Sequence, residues 1–315
     1  MPRPGEVAIP VSVIPWALHA PPRPVGHDAP MSATRDDGRE VGYALLDAGD
    51  GRRLERFGSL VVDRPATAAI QPRRDRARWR TADLRYEPGR GWSGGGRSAT
   101  GGIPEAWQVE IDSLAMELRP TASGGVGLYP EHIVNLDWLG SRLEEREKPG
   151  VLNLFGHTGL ATLAAARAGA SVAHVDAARS AVAWARRNAE LAGLADRPIR
   201  WLVDDAAGFV ARDARRGRQY DGIVLDPPSF GRARGRSWRL EDELPDLMTS
   251  CARILAHDGF VLLTAHTSGI DGDALAGLAR DALPSSARIA VRRLELVAES
   301  GARLELGWGV RAVLD

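Results

Sequence analysis

Acidic side chains that could hold a nucleoside end three successive apolar runs in the second half of the chain. Asp176, the pair Asp204 and Asp205, and Asp226 each follow such a run. In an open α/β sheet, the carboxyl ends of parallel strands meet at one edge, and ligands bind there. One carboxylate can accept the two hydroxyls of a ribose, another can accept an adenine amine, and a third can lie near the reacting group. Carboxylates at the ends of three successive strands therefore predict a nucleoside-binding cleft.

A glycine-bearing turn precedes these carboxylates. Gly156 and Gly159 follow the apolar run 151–155, which includes Asn153 and Phe155, and they bracket Thr158. Such a turn brings backbone N–H groups close to a ligand and opens into a helix. The spacing is neither G-x-G-x-x-G nor a phosphate-binding P-loop. S-adenosylmethionine (SAM), which carries no phosphate, therefore fits better than NAD. The alternative is a βαβ unit without a ligand.

The sequence Asp226-Pro227-Pro228-Ser229-Phe230 is the most specific feature of the chain. Two prolines stiffen the loop and remove N–H donors, while their carbonyls stay free as acceptors. Phe230 then offers a flat face on which a planar base can stack. Methyl transfer from a sulfonium depends mainly on alignment, which a rigid platform provides. The alternative is a turn with a core phenylalanine.

Two basic segments favour a polyanionic substrate. Arg232, Arg234, Arg236 and Trp238 directly follow the proline loop, so they are predicted to lie beside the cleft. In the segment 73–80, five arginines surround one tryptophan, a composition that can hold phosphates and stack a base. The alternatives are a mobile loop in the first case and a solvated basic segment in the second.

Alternating strand and helix patterns must position these residues. Apolar runs predict strands, helical spacing predicts the intervening helices, and two alternating runs predict a closing hairpin. Strands are expected at 151–155, 171–175, 199–203, 220–225 and 260–265, helices at 160–168, 179–192, 206–216, 240–255 and 271–282, and the hairpin at 288–296 and 303–310. The fold class is therefore α/β: a Rossmann-like, doubly wound, mostly parallel sheet with a terminal antiparallel hairpin, the usual shape of a class I methyltransferase.

Three domains are predicted along the chain. Residues 1–40 are a proline-rich tail, predicted to be flexible, and translation is hypothesised to start at Met31; a secretory signal peptide is disfavoured. Residues 41–125 predict a small β-rich domain on the substrate side, with a flexible glycine-rich insertion at 89–102. Its strands are expected at 43–46, 59–62, 107–111 and 114–119. Residues 126–315 form the predicted methyltransferase domain.

Composition excludes several classes of protein. The net charge of the 315 residues is zero, so any nucleic-acid contact must come from local basic clusters. One cysteine allows neither an internal disulfide nor a cysteine-built metal site. No apolar run approaches the ~18 residues of a membrane helix. We expect a cytoplasmic protein that does not enter a membrane.

Residues 126–268 resemble the bacterial 23S rRNA methyltransferases that make 5-methylcytosine or 7-methylguanosine. The matching pieces are Gly127-Leu-Tyr-Pro-Glu131, Val151-Leu-Asn-Leu-Phe-x-x-Thr-Gly159, Val175-Asp176, Asp204-Asp205 and Leu225-Asp-Pro-Pro-Ser-Phe230. The resemblance implies that Phe155 to Gly159 hold the methionine part of SAM, Asp176 the ribose and Asp205 the adenine. It implies that Asp226 to Phe230 hold the acceptor.

The chain departs from this family where cytosine chemistry requires a thiolate. Attack on C6 of cytosine needs a cysteine, which these proteins carry just after the fifth strand, but the stretch 263–268 has none. Cys251 falls on an apolar helix face and is predicted to be buried. No cytosine-C5 methylation is therefore expected. His266, in that stretch, could orient or deprotonate an acceptor, although a structural role is favoured.

Together these features predict a SAM-dependent methyltransferase that modifies a base of RNA, with rRNA favoured. A methyltransferase for a small molecule or protein, and a non-catalytic SAM- or RNA-binding relative, remain alternatives. The predicted catalytic residues are Asp226, Pro227 and Phe230, and the predicted RNA-binding residues are Arg232, Arg234, Arg236 and Trp238. The predicted cofactor-binding residues are Tyr129, Asn153, Phe155, Gly156, Thr158, Gly159, Asp176, Asp204, Asp205 and Asp226. No metal is predicted, because His132, His157, His174, His257 and His266 lie singly in sequence.

Overall fold

The structure is a computed structural model that describes residues 40–94, 102–144, 146–233, 236–267 and 269–314. The predicted proline-rich tail, apart from Glu40, and the Met31 start lie outside the described residues. So do most of the glycine-rich insertion beyond Gly94, and Arg234.

A seven-stranded sheet forms the centre of the protein, in the spatial order β11-β10-β9-β12-β15-β17-β16. The first five strands in this order are parallel, and β17 runs antiparallel to both β15 and β16. The predicted fold class is confirmed. The strands are β9 (Gly150–Leu154), β10 (Ser171–Asp176), β11 (Ile199–Val203), β12 (Tyr220–Leu225), β15 (Leu255–Ala265), β16 (Arg288–Val297) and β17 (Arg303–Val313).

Helices connect the parallel strands. They are α1 (Leu136–Glu144), α2 (Leu160–Arg167), α3 (Arg179–Leu191), α4 (Ala206–Arg215), α5 (Leu240–Ala252) and α6 (Gly272–Ala282). The segment before β9 forms a 3₁₀ turn, Pro130–Asn135, which is followed directly by helix α1. Among the helices of the described residues, none is long and apolar enough to cross a membrane.

Alternate side chains of the central strands fill two separate cores, because successive residues of a strand point to opposite faces. Val151, Val172 and Val224 belong to the core on one face of the sheet. Leu152 and Leu154 belong to the core on the other face. Both faces are thus covered, as a parallel sheet requires. The chain turns outward from β9 to β11 and then returns to β12, so the strand order reverses between β9 and β12.

Two smaller sheets precede the central one. A five-stranded sheet has the order β2-β3-β4-β5-β6, with strands Tyr43–Gly49, Arg52–Phe57, Leu60–Pro65, Leu84–Glu87 and Gly91–Gly94. A three-stranded sheet has the order β1-β7-β8, with strands Glu40–Val41, Trp107–Ile111 and Leu114–Leu118. Strands β3, β5 and β6 were not predicted, and β6 lies within the segment expected to be a flexible insertion.

The terminal hairpin packs against the five-stranded sheet around one buried carboxylate. Asp47 is fully buried, and its oxygens accept hydrogen bonds from Trp79 Nε1 and Ser300 Oγ, each at 2.7 Å. The backbone N–H groups of Arg74 and Asp75 also donate to it at 3.0 Å. Burial raises the pKa of Asp47, but these hydrogen bonds outweigh it, so the pKa lies below its usual value.

We expect Asp47→Ala to lower the free energy of unfolding by about 2 to 4 kcal/mol at pH 7, because buried donors lose a charged acceptor. The pKa of Asp47 is lower in the folded chain, so its contribution is present above the unfolded pKa and lost as the pH falls through the folded one. The difference between variant and wild type should therefore shrink below about pH 4. Urea unfolding measures both effects. The exposed Asp246→Ala is the control, and an equal loss in that variant would contradict the role of Asp47.

Candidate active site

The glycine-bearing turn after β9 has an unusual backbone. Phe155 and His157 have positive φ angles of 55° and 46°, and Gly159 has one of 95°. Side chains rarely occupy this left-handed region, so the surrounding structure must hold the turn in place. Strand β10 does so: Val175 O accepts from the N–H of Gly156 at 3.1 Å, and Asp176 Oδ2 accepts from the N–H of His157 at 2.9 Å.

A buried histidine, His174, packs against the turn at Gly156. A Cβ at Gly156 would lie 2.5 Å from the His174 ring, so this position has no room for a side chain. His174 Nδ1 lies 2.9 Å from Thr162 Oγ1, which also accepts a hydrogen bond from the Asn153 side chain at 2.8 Å. Burial lowers the pKa of His174 to about 3, so the ring is neutral at physiological pH. Asn153 therefore joins strand β9 to helix α2.

A second set of hydrogen bonds connects the turn to the N-terminal sheets. Thr158 Oγ1 donates to Gly127 O at 2.6 Å, and the Asn188 side chain donates to Thr158 O at 2.9 Å. The Asn188 side-chain oxygen accepts from the N–H of Glu117 in β8 at 2.8 Å. Both Thr158 and Asn188 are buried. The position of the turn is therefore coupled to that of the three-stranded sheet.

Two adjoining clefts open at the carboxyl ends of β9 and β12, at the reversal of strand order. Together with the space that opens to solvent, they contain about 630 and 1210 Å³. Tyr129, Phe155, His157 and Asp226 line both clefts. Among the other predicted cofactor-binding residues, the smaller cleft adds Asn153, Gly156, Thr158 and Gly159, and the larger adds Asp176, Asp204 and Asp205. His157 was not predicted as a site residue.

The acidic pair after β11 also shapes the backbone around it. Asp205 is the N-cap of α4, and its Oδ1 accepts from the N–H of Gly208 at 2.8 Å. Asp204 Oδ1 accepts from the N–H of Asp205 at 2.9 Å, and its Oδ2 pairs with Arg212. These contacts fix the two carboxylates at the edge of the larger cleft. They agree with the capping role that an aspartate after a strand often has.

The proline loop is held by an aromatic side chain from the following segment. Trp238 Nε1 donates to Pro228 O at 2.7 Å, and the Trp238 ring lies 5.3 Å from the Phe155 ring. Pro227 and Trp238 both line the larger cleft. Phe230 lines neither cleft, and 73% of its surface is exposed.

Two short paired strands follow the proline loop. Strand β13 (Phe230–Ala233) pairs antiparallel with β14 (Arg236–Arg239), so Phe230 faces Arg239 and Arg232 faces Ser237 in the ladder. The other basic segment does not offer a stacking surface. Trp79 is buried, with the Arg73 guanidinium 4.0 Å from its ring centre, so the expectation that it could stack a base is wrong.

Two histidines that lie far apart in sequence meet at Asp226. His132 comes from the 3₁₀ turn Pro130–Asn135, which buried Arg311 of β17 anchors through a 2.9 Å hydrogen bond to Val134 O. His266 follows β15. Each Nε2 atom lies 3.1 Å from an oxygen of Asp226, and the two rings are 5.1 Å apart. The expectation that the histidines lie singly is therefore wrong for this pair.

This cluster is electrostatically coupled. Burial raises the pKa of Asp226, but the two imidazoles outweigh it and hold the pKa far below its usual value. Burial lowers the pKa of His266, but Asp226 outweighs it and raises the pKa to about 9. His157 is different, because burial lowers its pKa and neighbouring carboxylates do not compensate. Asp226 therefore carries a negative charge and His266 a positive charge on the side of the clefts formed by β12 and β15.

The predicted burial of the cysteine is confirmed. Cys251 lies in α5 with 1% of its surface exposed, and burial raises its pKa to about 12. A thiol with this pKa is protonated at physiological pH and is a poor nucleophile.

Comparison with solved structures identifies the family. A SAM-dependent methyltransferase from Agrobacterium tumefaciens is 34% identical to this chain, with a TM-score of 0.81. The match covers 90% of this chain and 93% of the Agrobacterium chain, so it includes the N-terminal sheets as well as the clefts. The chain belongs to the SAM-dependent methyltransferases.

Further comparisons agree with the fold of this methyltransferase. The family model described as "Conserved hypothetical protein 95" matches residues 134–267, which include the turn and the proline loop. A Streptococcus mutans protein described as a SAM-dependent methyltransferase is 15% identical, with a TM-score of 0.69 over 86% of this chain and 75% of its own. Another protein, described as a methyltransferase complexed with S-adenosylhomocysteine, is 16% identical, with a TM-score of 0.68 over 88% of this chain and 76% of its own.

We expect Asp176→Ala to weaken SAM binding by roughly 10- to 100-fold, the effect of losing hydrogen bonds to a charged acceptor. Asp176 lines the larger cleft, and its oxygens also accept from the N–H groups of His157 and Ala178. Isothermal titration calorimetry with SAM measures the change. The control is Asp196→Ala, an exposed position before β11, at the amino ends of the strands and away from the clefts. An unchanged SAM affinity in Asp176→Ala would remove this residue from the cofactor site.

Proposed function

We propose that this methyltransferase transfers a methyl group from SAM to a base of RNA, and that ribosomal RNA is the substrate. The observation that carries the proposal is the exposed ring of Phe230, 73% accessible, between Ser229 and Gly231, which both line the larger cleft. With most of its surface exposed, this ring is accessible to a planar ligand. A nucleic-acid base is a suitable partner, since every base offers a π-face for stacking.

In this proposal SAM occupies the adjoining clefts. Its methionine part lies along the turn from Phe155 to Gly159, where positive φ angles bring the backbone close to the clefts. Its ribose hydroxyls donate to Asp176, and its adenine amine approaches Asp205. Each carboxylate retains lone pairs for this purpose besides those used by backbone N–H groups.

The acceptor base approaches from the side of Asp226 and the proline loop. Its attacking atom, the methyl carbon and the sulfur must lie in line, so rigid support of the base is the main catalytic requirement. Trp238 supplies that support indirectly by holding Pro228 O and packing on Phe155. The attacking lone pair forms the new bond to carbon, and the C–S bonding pair returns to sulfur.

The acceptor atom is proposed to be a base nitrogen rather than C5 of cytosine. C5 methylation requires a thiolate that adds to C6. Cys251 is buried in α5 with a pKa of about 12, and no cysteine accompanies His266. A ring or amino nitrogen carries its own lone pair and needs no covalent intermediate.

The arginine-bearing hairpin supports a polyanionic substrate. Strands β13 and β14 extend directly from the proline loop, and their sequence provides Arg232, Arg236 and Arg239. Arginine binds phosphates through a fork of N–H donors, which fixes the register of a strand without reading its sequence. A base seated on Phe230 therefore has phosphate-binding residues within a few positions along the chain.

We expect Phe230→Ala to reduce kcat/KM for RNA by roughly 5- to 150-fold, since one base–aromatic stack contributes about 1 to 3 kcal/mol. SAM affinity should not change, because Phe230 lines neither cleft. The assay measures transfer of tritiated methyl from SAM to RNA from a strain that lacks this gene. Phe230→Tyr keeps the aromatic face and should restore most activity. Full activity of Phe230→Ala would contradict the stacking role.

A triple variant tests the hairpin. Replacing Arg232, Arg234 and Arg236 with alanine should weaken RNA binding and lower the salt dependence of log K by about 2, at roughly 0.7 per phosphate contact on a single strand. The control replaces three exposed arginines that lie away from the carboxyl ends of the strands: Arg200 in β11, Arg215 at the end of α4 and Arg218 before β12. If both triple variants bind RNA alike, or if tritium enters the protein or small-molecule fraction instead, the RNA proposal fails.

A further inference from the structure

The chain brings three potential metal ligands together at the wall between the two clefts. His132 Nε2 lies 3.1 Å from Asp226 Oδ2, and His266 Nε2 lies 3.1 Å from Asp226 Oδ1. One ligand atom from each residue fits within 4.8 Å of the others. We propose that His132, Asp226 and His266 bind a divalent transition-metal ion, a ligand that the methyltransferase fold alone does not require.

The orientation of the imidazoles distinguishes this arrangement from simple ion pairs. Both Nε2 atoms are buried, and neither has a hydrogen-bond partner among the described residues, although Asp226 is close. Their N–H directions therefore miss the carboxylate oxygens. Ligands bound to one ion at 2.0–2.2 Å lie roughly 3.0 to 3.5 Å from each other. The separations of 3.1 Å, from His132 to Oδ2 and from His266 to Oδ1 of Asp226, fall within that range, and one ligand atom from each residue lies within 4.8 Å of the others.

Neighbouring groups orient two of the three ligands, as at known metal sites. His266 Nδ1 donates to Leu306 O at 2.6 Å, so Nε2 is the nitrogen that would release its proton and bind a metal. Thr264 Oγ1 donates to Asp226 Oδ1 at 2.6 Å and fixes the carboxylate. Gly307 allows the close approach of Leu306, because a Cβ at this position would overlap Ala265 O.

The donor set indicates the class of metal. Two imidazole nitrogens and one carboxylate suit Zn²⁺, Fe²⁺, Mn²⁺, Co²⁺ or Ni²⁺, whereas Mg²⁺ prefers oxygen ligands and retained water. Three protein ligands leave coordination positions open. His132 lines the smaller cleft, His266 lines the larger, and Asp226 lines both. An ion held there is accessible to an acceptor in the cleft.

Such an ion would bind the acceptor heteroatom beside the methyl group of SAM, a consequence that rests on the proposed methyl transfer. On coordination the acceptor nitrogen would release any proton that it carries to solvent. A lone pair of the acceptor then forms the bond to the methyl carbon, and the C–S pair returns to sulfur, which becomes a neutral thioether. Metal binding can be tested without any methyl acceptor.

The test uses untagged full-length protein that has been treated with a chelator and titrated with Co²⁺. Cobalt reports its ligands through visible d–d absorption. We expect one equivalent to bind with nitrogen-ligand bands, and Zn²⁺ to displace it. His132→Gln, which retains a polar side chain of similar reach, should bind Co²⁺ at least 100-fold more weakly. The control His257→Ala removes a histidine that is 93% exposed and should bind like wild type.

A second readout separates loss of the site from loss of the fold. Thermal unfolding should show that Co²⁺ raises the Tm of wild type and of His257→Ala but not that of His132→Gln. His266→Gln provides an independent ligand variant with the same expectation. Absence of d–d bands, or equal loss of binding in His257→Ala, would overturn the metal site. Failure of RNA methylation in a protein that still shows these bands would overturn only the proposed substrate.

Discussion

The charge of one carboxylate, Asp226, organises the clefts. It lies at the carboxyl end of β12, where the strand order reverses, and it faces His132, His266 and the hydroxyl of Thr264. Removing a carboxylate from water costs several kcal/mol unless opposite charge and hydrogen bonds compensate. The compensating groups come from a turn before β9 and from β15 with the residue that follows it. The electrostatics of the site is therefore complete only when the 3₁₀ turn, β12 and β15 have come together.

The turn after β9 represents a second constraint, since its shape is unfavourable by itself. Phe155 and His157 occupy the left-handed region, which costs each of them about 1 kcal/mol or more. Asp176 and Val175 hold the turn through its N–H groups, and Thr158 is locked by Gly127 and Asn188. These hydrogen bonds keep the backbone of the turn in one conformation before any ligand binds, which reduces the conformational entropy lost on binding.

The catalytic half of the chain could be predicted from sequence because its strands are buried on both faces and form continuous apolar runs. The carboxylates at the ends of those strands could be recognised in the sequence, because each one directly follows an apolar run. Strand β3 could not be predicted, because Arg53 and Glu55 alternate with apolar residues and seem suited to solvent, yet both are buried. Glu55 accepts from Arg64 of β4 at 2.5 Å, a pairing that only the sheet register creates.

The meeting of His132 with His266 and the different surroundings of the two tryptophans could not be predicted, for a related reason. His132 and His266 meet only through the sheet topology, so no local spacing connects them. Trp79 and Trp238 both accompany arginines in sequence, and composition alone cannot tell which ring faces solvent. Trp79 is buried against Asp47, whereas Trp238 lines a cleft. Local composition predicted a basic surface but not which aromatic ring belongs to it.

The junction of the five-stranded sheet with the terminal hairpin has a consequence for biosynthesis. The carbonyls of Leu45 and Leu46 in β2 accept from the N–H groups of Glu299 and Ser300, and Asp47 accepts from the Ser300 hydroxyl. A ribosome releases β2 long before it has made residues 299 and 300. The edge strand β2 of the five-stranded sheet therefore stays exposed, and Asp47 stays incompletely paired, until the terminal hairpin has been synthesised. During that interval the nascent chain depends on shielding of this edge, since unpaired strand edges readily associate with other chains.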